Sequence, residues 1–167
     1  MFPISDTAPR ASSPRVVYIL ILINTVVFLW MWSLPAPVLE AVTVKYALIP
    51  LRYADPDAAI AHGLDPDDWW PLVTSTFMHG GWLHLILNMW TLWIFGPAME
   101  ARYGRPGFAL LYLCGGVAAS ATHLIANFDS ATPVLGASGA IAAVRSSPWG
   151  NSRPRALKNP VSRRYST

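Results

Sequence analysis

Three apolar runs, at 16–34, 82–99 and 108–127, constrain this chain more than any other feature of it. Each holds close to the ~20 residues that a helix needs to cross a hydrocarbon core of ~30 Å. A backbone in lipid has no water to bond to, so such runs cross as helices. The predicted fold is therefore all-α, a polytopic transmembrane helix bundle with three full spans and the start of a fourth. Composition agrees: of 167 residues, 53% are hydrophobic and only 13% charged. The first run is too long for the apolar core of a signal peptide, and no small-residue cleavage site follows it. Arg10 and Arg15 precede it, and Trp30, Trp32, Pro35 and Pro37 suit its interfacial end. Residues 1–15, with Pro3, Pro9 and Pro14, are read as a flexible leader.

Charge sets the expected orientation. Arg10 and Arg15 lie before the first run, and Arg102 and Arg105 lie between the second and third. The first loop has two basic residues, Lys45 and Arg52, against six acids. The positive-inside rule then puts the N-terminus and second loop in the cytoplasm and the acidic first loop outside. Within that loop, DPD at 55–57 and 65–67 signals turns, and Trp69 and Trp70 read as headgroup-level anchors. Residues 44–53 are apolar enough for a short amphipathic or re-entrant piece. The formal net charge of +3 does not point to nucleic acid. Six Lys/Arg and no acid fall in 145–167, whereas 1–144 holds six Lys/Arg and nine Asp/Glu.

A fourth apolar run opens at Leu135 and stops at Val144, after about half a span. Arg145 follows, then Pro148, Gly150, Pro154 and Pro160, which deny a continuing helix. The chain is thus divided into a leader (1–15), a partial membrane domain (16–144) and a basic, proline-containing tail (145–167) foreign to that fold. The simplest account of the tail is a shifted reading frame or a damaged gene, with a deliberate short form as the alternative.

Polar residues inside spans are costly unless paired or functional. His84 and Asn88, four apart, project from one face of the second span. By the charge count they enter from the same side, and lie at a similar depth, as Ser138 at the start of the fourth. Ser138 sits in Gly136-Ala137-Ser138-Gly139, where free N–H groups at a helix start could serve an oxyanion. Blander readings stand beside this one. The serine could be small-residue packing, and His84 with Asn88 could be interhelical hydrogen-bonding glue. His79 and His84 lack the companions a metal site needs, so no metal or cofactor is expected. His123 is read as packed or interfacial rather than a base, and His62 as a solvated loop residue. Cys114 is read as a small buried hydrophobe, and Trp82, Trp90 and Trp93 as lipid-facing or interfacial.

The stretches "TSTFMHGGWLHLILNMW", "WIFGPAMEARYG" and "GASGAIAAV", in this order, resemble the rhomboid family of intramembrane serine proteases. The resemblance is strong over residues 69–144 and looser before. It implies that Ser138 is the nucleophile, that His84 and Asn88 stabilise the oxyanion, and that Gly136 and Gly139 frame the serine. It implies structural roles for His79 and for Glu100 and Arg102 in the turn after the second span. Of the family's first-loop Trp-Arg pair only half is present, since Pro71 follows Trp70. The family's general base is a histidine on a sixth span, and no histidine follows His123 here.

The expected protein is a multi-pass integral protein of the bacterial inner membrane, N-terminus cytoplasmic. Its partners would be the bilayer and the transmembrane helices of substrate proteins, which the intact parent cleaves near the outer face. The 167-residue chain itself is expected to be inactive for want of the base. The alternatives are a non-catalytic binder of membrane helices and an unstable relic.

Overall fold

The structure, a computed structural model, describes residues 13–136 together with Ser138 and Ile141. Most of the leader, Gly139, and the tail at 145–167 lie outside the described residues. The elements run α1 (Arg15–Trp32), α2 (Ala36–Tyr46), α3 (Leu51–Ala54), α4 (Pro56–Ala61), α5 (Pro71–Thr74), a 3₁₀ turn (Ser75–Phe77) and α6 (Trp82–Ala126). Two helices among them are long and apolar enough to cross a membrane, α1 with Ser33 and α6.

Helix α1 is built from Val, Ile and Leu, which are middling helix formers in water. In lipid the need to satisfy every backbone group internally outweighs that preference. The helix ends where the Ser33 N–H bonds Leu29 O and Trp30 O and its hydroxyl bonds Trp30 O at 2.7 Å. Pro35 then starts α2.

Helix α6 is two helical stretches meeting at a kink. Gly104 sits at φ 71°, ψ 169°, outside helical space, a conformation open to glycine and strained for other residues. It divides the element into two arms, 82–103 and 105–126. Residues 75–77 lie just before the first arm, yet Thr76 packs on Gly116 and the Phe77 ring lies 6.0 Å from that of Tyr112. The second arm therefore returns to the end where the first began. The two expected runs at 82–99 and 108–127 are these arms, and the exposed Arg102 and Arg105 mark the polar turn between them.

The main core joins α1 to both arms: Val17, Leu20 and Phe28 pack with Leu85, Met89, Leu92, Met99, Phe108 and Tyr112. Ile141, helical and buried, joins the same cluster. Close approach depends on glycine. A Cβ on Gly96 would lie 2.7 Å from Val17 Cγ2, and one on Gly116 would lie 2.6 Å from Thr76 Oγ1. Two polar links tie the bundle. Fully buried Asn24 donates to Leu20 O (2.7 Å) and to the Tyr112 hydroxyl (3.1 Å). Buried Glu100 accepts the Val17 N–H at 3.0 Å, supplying a negative charge to the start of α1. Arg105 lies 3.8 Å from the other oxygen of the same carboxylate. Glu100 thus holds the end of the first arm to the start of α1.

Cys114 is exposed, not buried as the sequence suggested. It lies on the arm's outer face with Leu110 and Leu113, while Tyr112, Gly115 and Gly116 turn inward. An apolar pattern cannot distinguish protein core from lipid, because both accept a thiol. The tryptophans behave as expected: Trp82, Trp90 and Trp93 are 42–53% exposed, and Trp82 also packs edge-on against Phe28 and Trp32.

The Gly116 contact yields a direct test. Thr76 is buried and β-branched, so it cannot swing away from an added methyl. Gly116→Ala should lower stability in detergent by about 1–3 kcal/mol. Adding Thr76→Ala should restore part of that loss. A Gly116→Ala protein as stable as the parent would show that the arm does not seat on the 3₁₀ turn.

Candidate active site

Ser138 is reached through a short segment fastened from three directions. Val134 pairs with Leu48 in an antiparallel bridge, N–H to O at 2.8 and 3.3 Å. The Leu51 N–H bonds Ser130 O at 2.9 Å, and the Gly136 N–H bonds Ser75 O at 2.9 Å. The piece of the first loop expected to be amphipathic or re-entrant is therefore the end of α2, a non-helical strip at 47–49 and α3, and that strip holds the approach to Ser138.

That strip is itself held by Arg52, a residue the sequence reading counted only as a charge. Its side chain is 2% exposed. It donates to Val44 O (2.6 Å) and Asp65 O (3.2 Å), and lies 3.7 Å from the Asp68 carboxylate. The Tyr53 hydroxyl donates to Asp68 O, and the Tyr53 ring stacks on Trp69 at 4.6 Å. The available signal was an arginine inside the otherwise apolar stretch 44–53, followed by both DPD turns.

Gly136 has φ +121°, and a Cβ there would lie 2.5 Å from His84 Nε2 and collide with Cε1. The backbone two residues before Ser138 is thus laid against the His84 imidazole, which only glycine permits. The other face of the His84 environment is His79, its ring 5.1 Å away in edge-to-face geometry. His79 is 2% exposed. One turn below His84, Asn88 is 7% exposed and its Nδ2 donor is unpartnered.

Ser138 is exposed and borders a cavity of about 150 Å³. Ser75, Ser120, His123 and Gly136 line the same cavity. The structure therefore brings Gly136 to His84, whose ring lies beside that of His79, and sets Ser138 and His123 on one cavity. His123 was read as packed or interfacial; it is partly exposed and shares this cavity. Glu100 lies among the contacts of the opposite end, where it caps α1. His62 is exposed, with Nδ1 2.8 Å from Ala58 O at the end of α4.

With the geometry in hand, comparison identifies the class. The Rhomboid domain matches residues 66–156, more than half of the chain, and the chain belongs to the rhomboid family, which includes intramembrane serine proteases. The match runs beyond Val144, where the apolar pattern breaks. Among its relatives, the rhomboid protease GluP of Bacillus subtilis is 42% identical over 89 residues, covering 53% of this chain and 16% of GluP. The mitochondrial presenilin-associated rhomboid-like protein A of Danio rerio is 35% identical over 129 residues, 75% of this chain and 29% of that protein. The chloroplastic RHOMBOID-like protein 9 of Arabidopsis thaliana is 35% identical over 91 residues, 54% of this chain and 20% of that one. The chain thus spans less than a third of the length of each of these three.

His79 supplies a pH test. Burial, reinforced by the neighbouring His84, depresses its pKa from 6.5 to about 4. The folded chain refuses a proton that the unfolded chain accepts below pH 6.5. Stability should therefore be level above that value and fall as pH drops from 6.5 towards 4. His79→Phe, which keeps the ring edge against His84, should flatten that part of the profile. A melting temperature whose acid slope is unchanged in the variant would remove His79 as the cause.

Proposed function

We propose that the chain carries the nucleophile half of an intramembrane serine endopeptidase that cleaves transmembrane segments of other proteins near the outer membrane face. The supporting observation is the seating of Gly136 on the His84 ring. It joins the serine segment to the helix bearing His84 and Asn88, two parts that are about fifty residues apart in the sequence. In this reading α1 and the two arms of α6 are three crossings, and the helix containing Ser138 and Ile141 begins a fourth. The N-terminus is cytoplasmic, in a bacterial inner membrane, on the strength of the charge pattern.

The Ser138 hydroxyl oxygen attacks the scissile carbonyl and its proton passes to a general base. The negative charge gathering on the carbonyl oxygen is met by the Ser138 N–H and by donors from His84 and Asn88. The unpartnered Asn88 Nδ2 suits this role, since a donor already engaged would have to break a bond first. Gly136 and Gly139 frame the serine, while His79, Glu100 and Arg102 hold the scaffold. The rhomboid resemblance puts the base on a later span, and these 167 residues contain no histidine after His123. Losing the base of a serine hydrolase lowers kcat on the order of 10⁶-fold.

A polypeptide of these residues alone should therefore release no Ser138-dependent product from a transmembrane reporter in liposomes. A gene product that continues through a sixth span bearing the histidine should cleave it. In that longer protein, Ser138→Ala should abolish cleavage, and His84→Ala or Asn88→Ala should lower kcat by about 10²–10³-fold. Translating all three frames downstream of codon 144 would locate that continuation. Cleavage by the 167-residue chain that disappears in Ser138→Ala would show that the later base is dispensable. Reporter capture without cleavage by the longer protein, unchanged in Ser138→Ala, would replace the enzyme with a helix binder.

A further inference from the structure

A groove of about 380 Å³ lies between α1, α2 and the 3₁₀ turn, away from Ser138. Its volume falls within the roughly 300–1,000 Å³ common for ligand sites. Its walls include Ile23, Val27 and Trp30 of α1, Val42 and Tyr46 of α2, and Phe77. They are almost wholly apolar. The groove opens along a strip of α1 that faces out of the bundle, where Leu22, Ile23, Val26 and Trp30 are 41–62% exposed. An apolar groove continuous with a lipid-facing strip is filled by hydrocarbon once the helix is in a bilayer.

The charge at its rim selects the kind of hydrocarbon. Lys45 lies one residue before Tyr46, which lines the groove, and its Nζ lies 5.3 Å above the centre of the Tyr46 ring. Residues 35–81 hold one other basic side chain, Arg52, which is buried and committed to Val44, Asp65 and Asp68. Lys45 is exposed. The acid on the same helix, Glu40, lines a different cavity with His62. The exposed cation of this otherwise acidic loop thus stands over a ring that lines the groove.

We propose that this groove is a binding site for one anionic phospholipid, an acyl chain lying along Val27, Val42 and Phe77 and the phosphate paired with Lys45. An ammonium near a membrane surface attracts an anionic lipid by about 1 kcal/mol, or roughly fivefold in occupancy. The cation's position over Tyr46 places the headgroup beside the mouth, so one molecule satisfies both parts of the site.

The test uses the full 167-residue chain in uncharged detergent, with phosphatidylglycerol and phosphatidylcholine of identical acyl chains, and native mass spectrometry. The expected result is one retained phosphatidylglycerol, favoured about fivefold over phosphatidylcholine. Lys45→Gln should equalise the two lipids, and Lys45→Arg should preserve the preference. Val27→Trp, which fills the groove, should abolish retention of both. The Lys45 substitutions lie on an exposed side chain, so they read the site even if Val27→Trp does not fold. Equal retention by the parent, a preference that survives Lys45→Gln, or retention that survives Val27→Trp in a folded protein would each overturn the proposal. So would a dimer dispersed by either lipid, which would make a second copy of the chain the occupant.

Discussion

The organisation of this molecule depends on the backbone pairing between the first loop and residues 130–136. Ser138 is helical and is reached through a short connection after α6, and nothing in such a connection fixes its own position. The Leu48–Val134 bridge, the Leu51–Ser130 bond and the Gly136–Ser75 bond do so from outside. Buried backbone groups need partners, so these bonds are the means by which the connection can run close to the bundle. The loop can provide them because Arg52 gathers its own carbonyls and Asp68 around one buried guanidinium. Removing one partner of such a cluster leaves the others buried and unpaired, which costs far more than the net worth of the bonds. The order of dependence therefore runs from Arg52 through the non-helical strip to Gly136, and from Gly136 to Ser138.

Inside the bundle the controlling condition is different. Lipid and protein core are equally apolar, so burial of Leu or Ile gives little reason for α1 and α6 to associate. Close approach and polar pairing supply it. Gly96 admits Val17, Gly116 admits Thr76, and Asn24 meets the Tyr112 hydroxyl. Glu100 accepts the Val17 N–H at the start of α1, where the Arg15 and Tyr18 N–H groups bond Ser13 O and Pro14 O. These contacts are few and directional, which suits a fold whose arms must bring particular residues to one end.

This difference explains how much could be read from the sequence. The apolar runs were legible because their length is set by the thickness of a bilayer, and the break between the arms was legible from Arg102, Gly104 and Arg105. The grouping of Ser138 with His84 was legible only as a coincidence of depth; the structure adds the contact through Gly136, whose positive φ leaves no mark in periodicity. Cys114 was misplaced because hydropathy reports solvent class, not neighbours. Arg52 was missed because its role depends on carbonyls at Val44 and Asp65, and a backbone carbonyl has no sequence signature. His123, read from its span as packed or interfacial, lines the cavity that Ser138 borders.

The histidine beside Gly136 and the one next to it show what this end of the bundle asks of its polar groups. Burial holds His79 neutral. A second charge so close to His84 would repel any cation formed there. A neutral His79 therefore places no second charge 5.1 Å from the imidazole on which Gly136 is seated. The close approach of the backbone at Gly136 and the burial of His79 are two parts of one packing arrangement, in which a ring that carried a charge would have to be solvated and the seat of Gly136 opened.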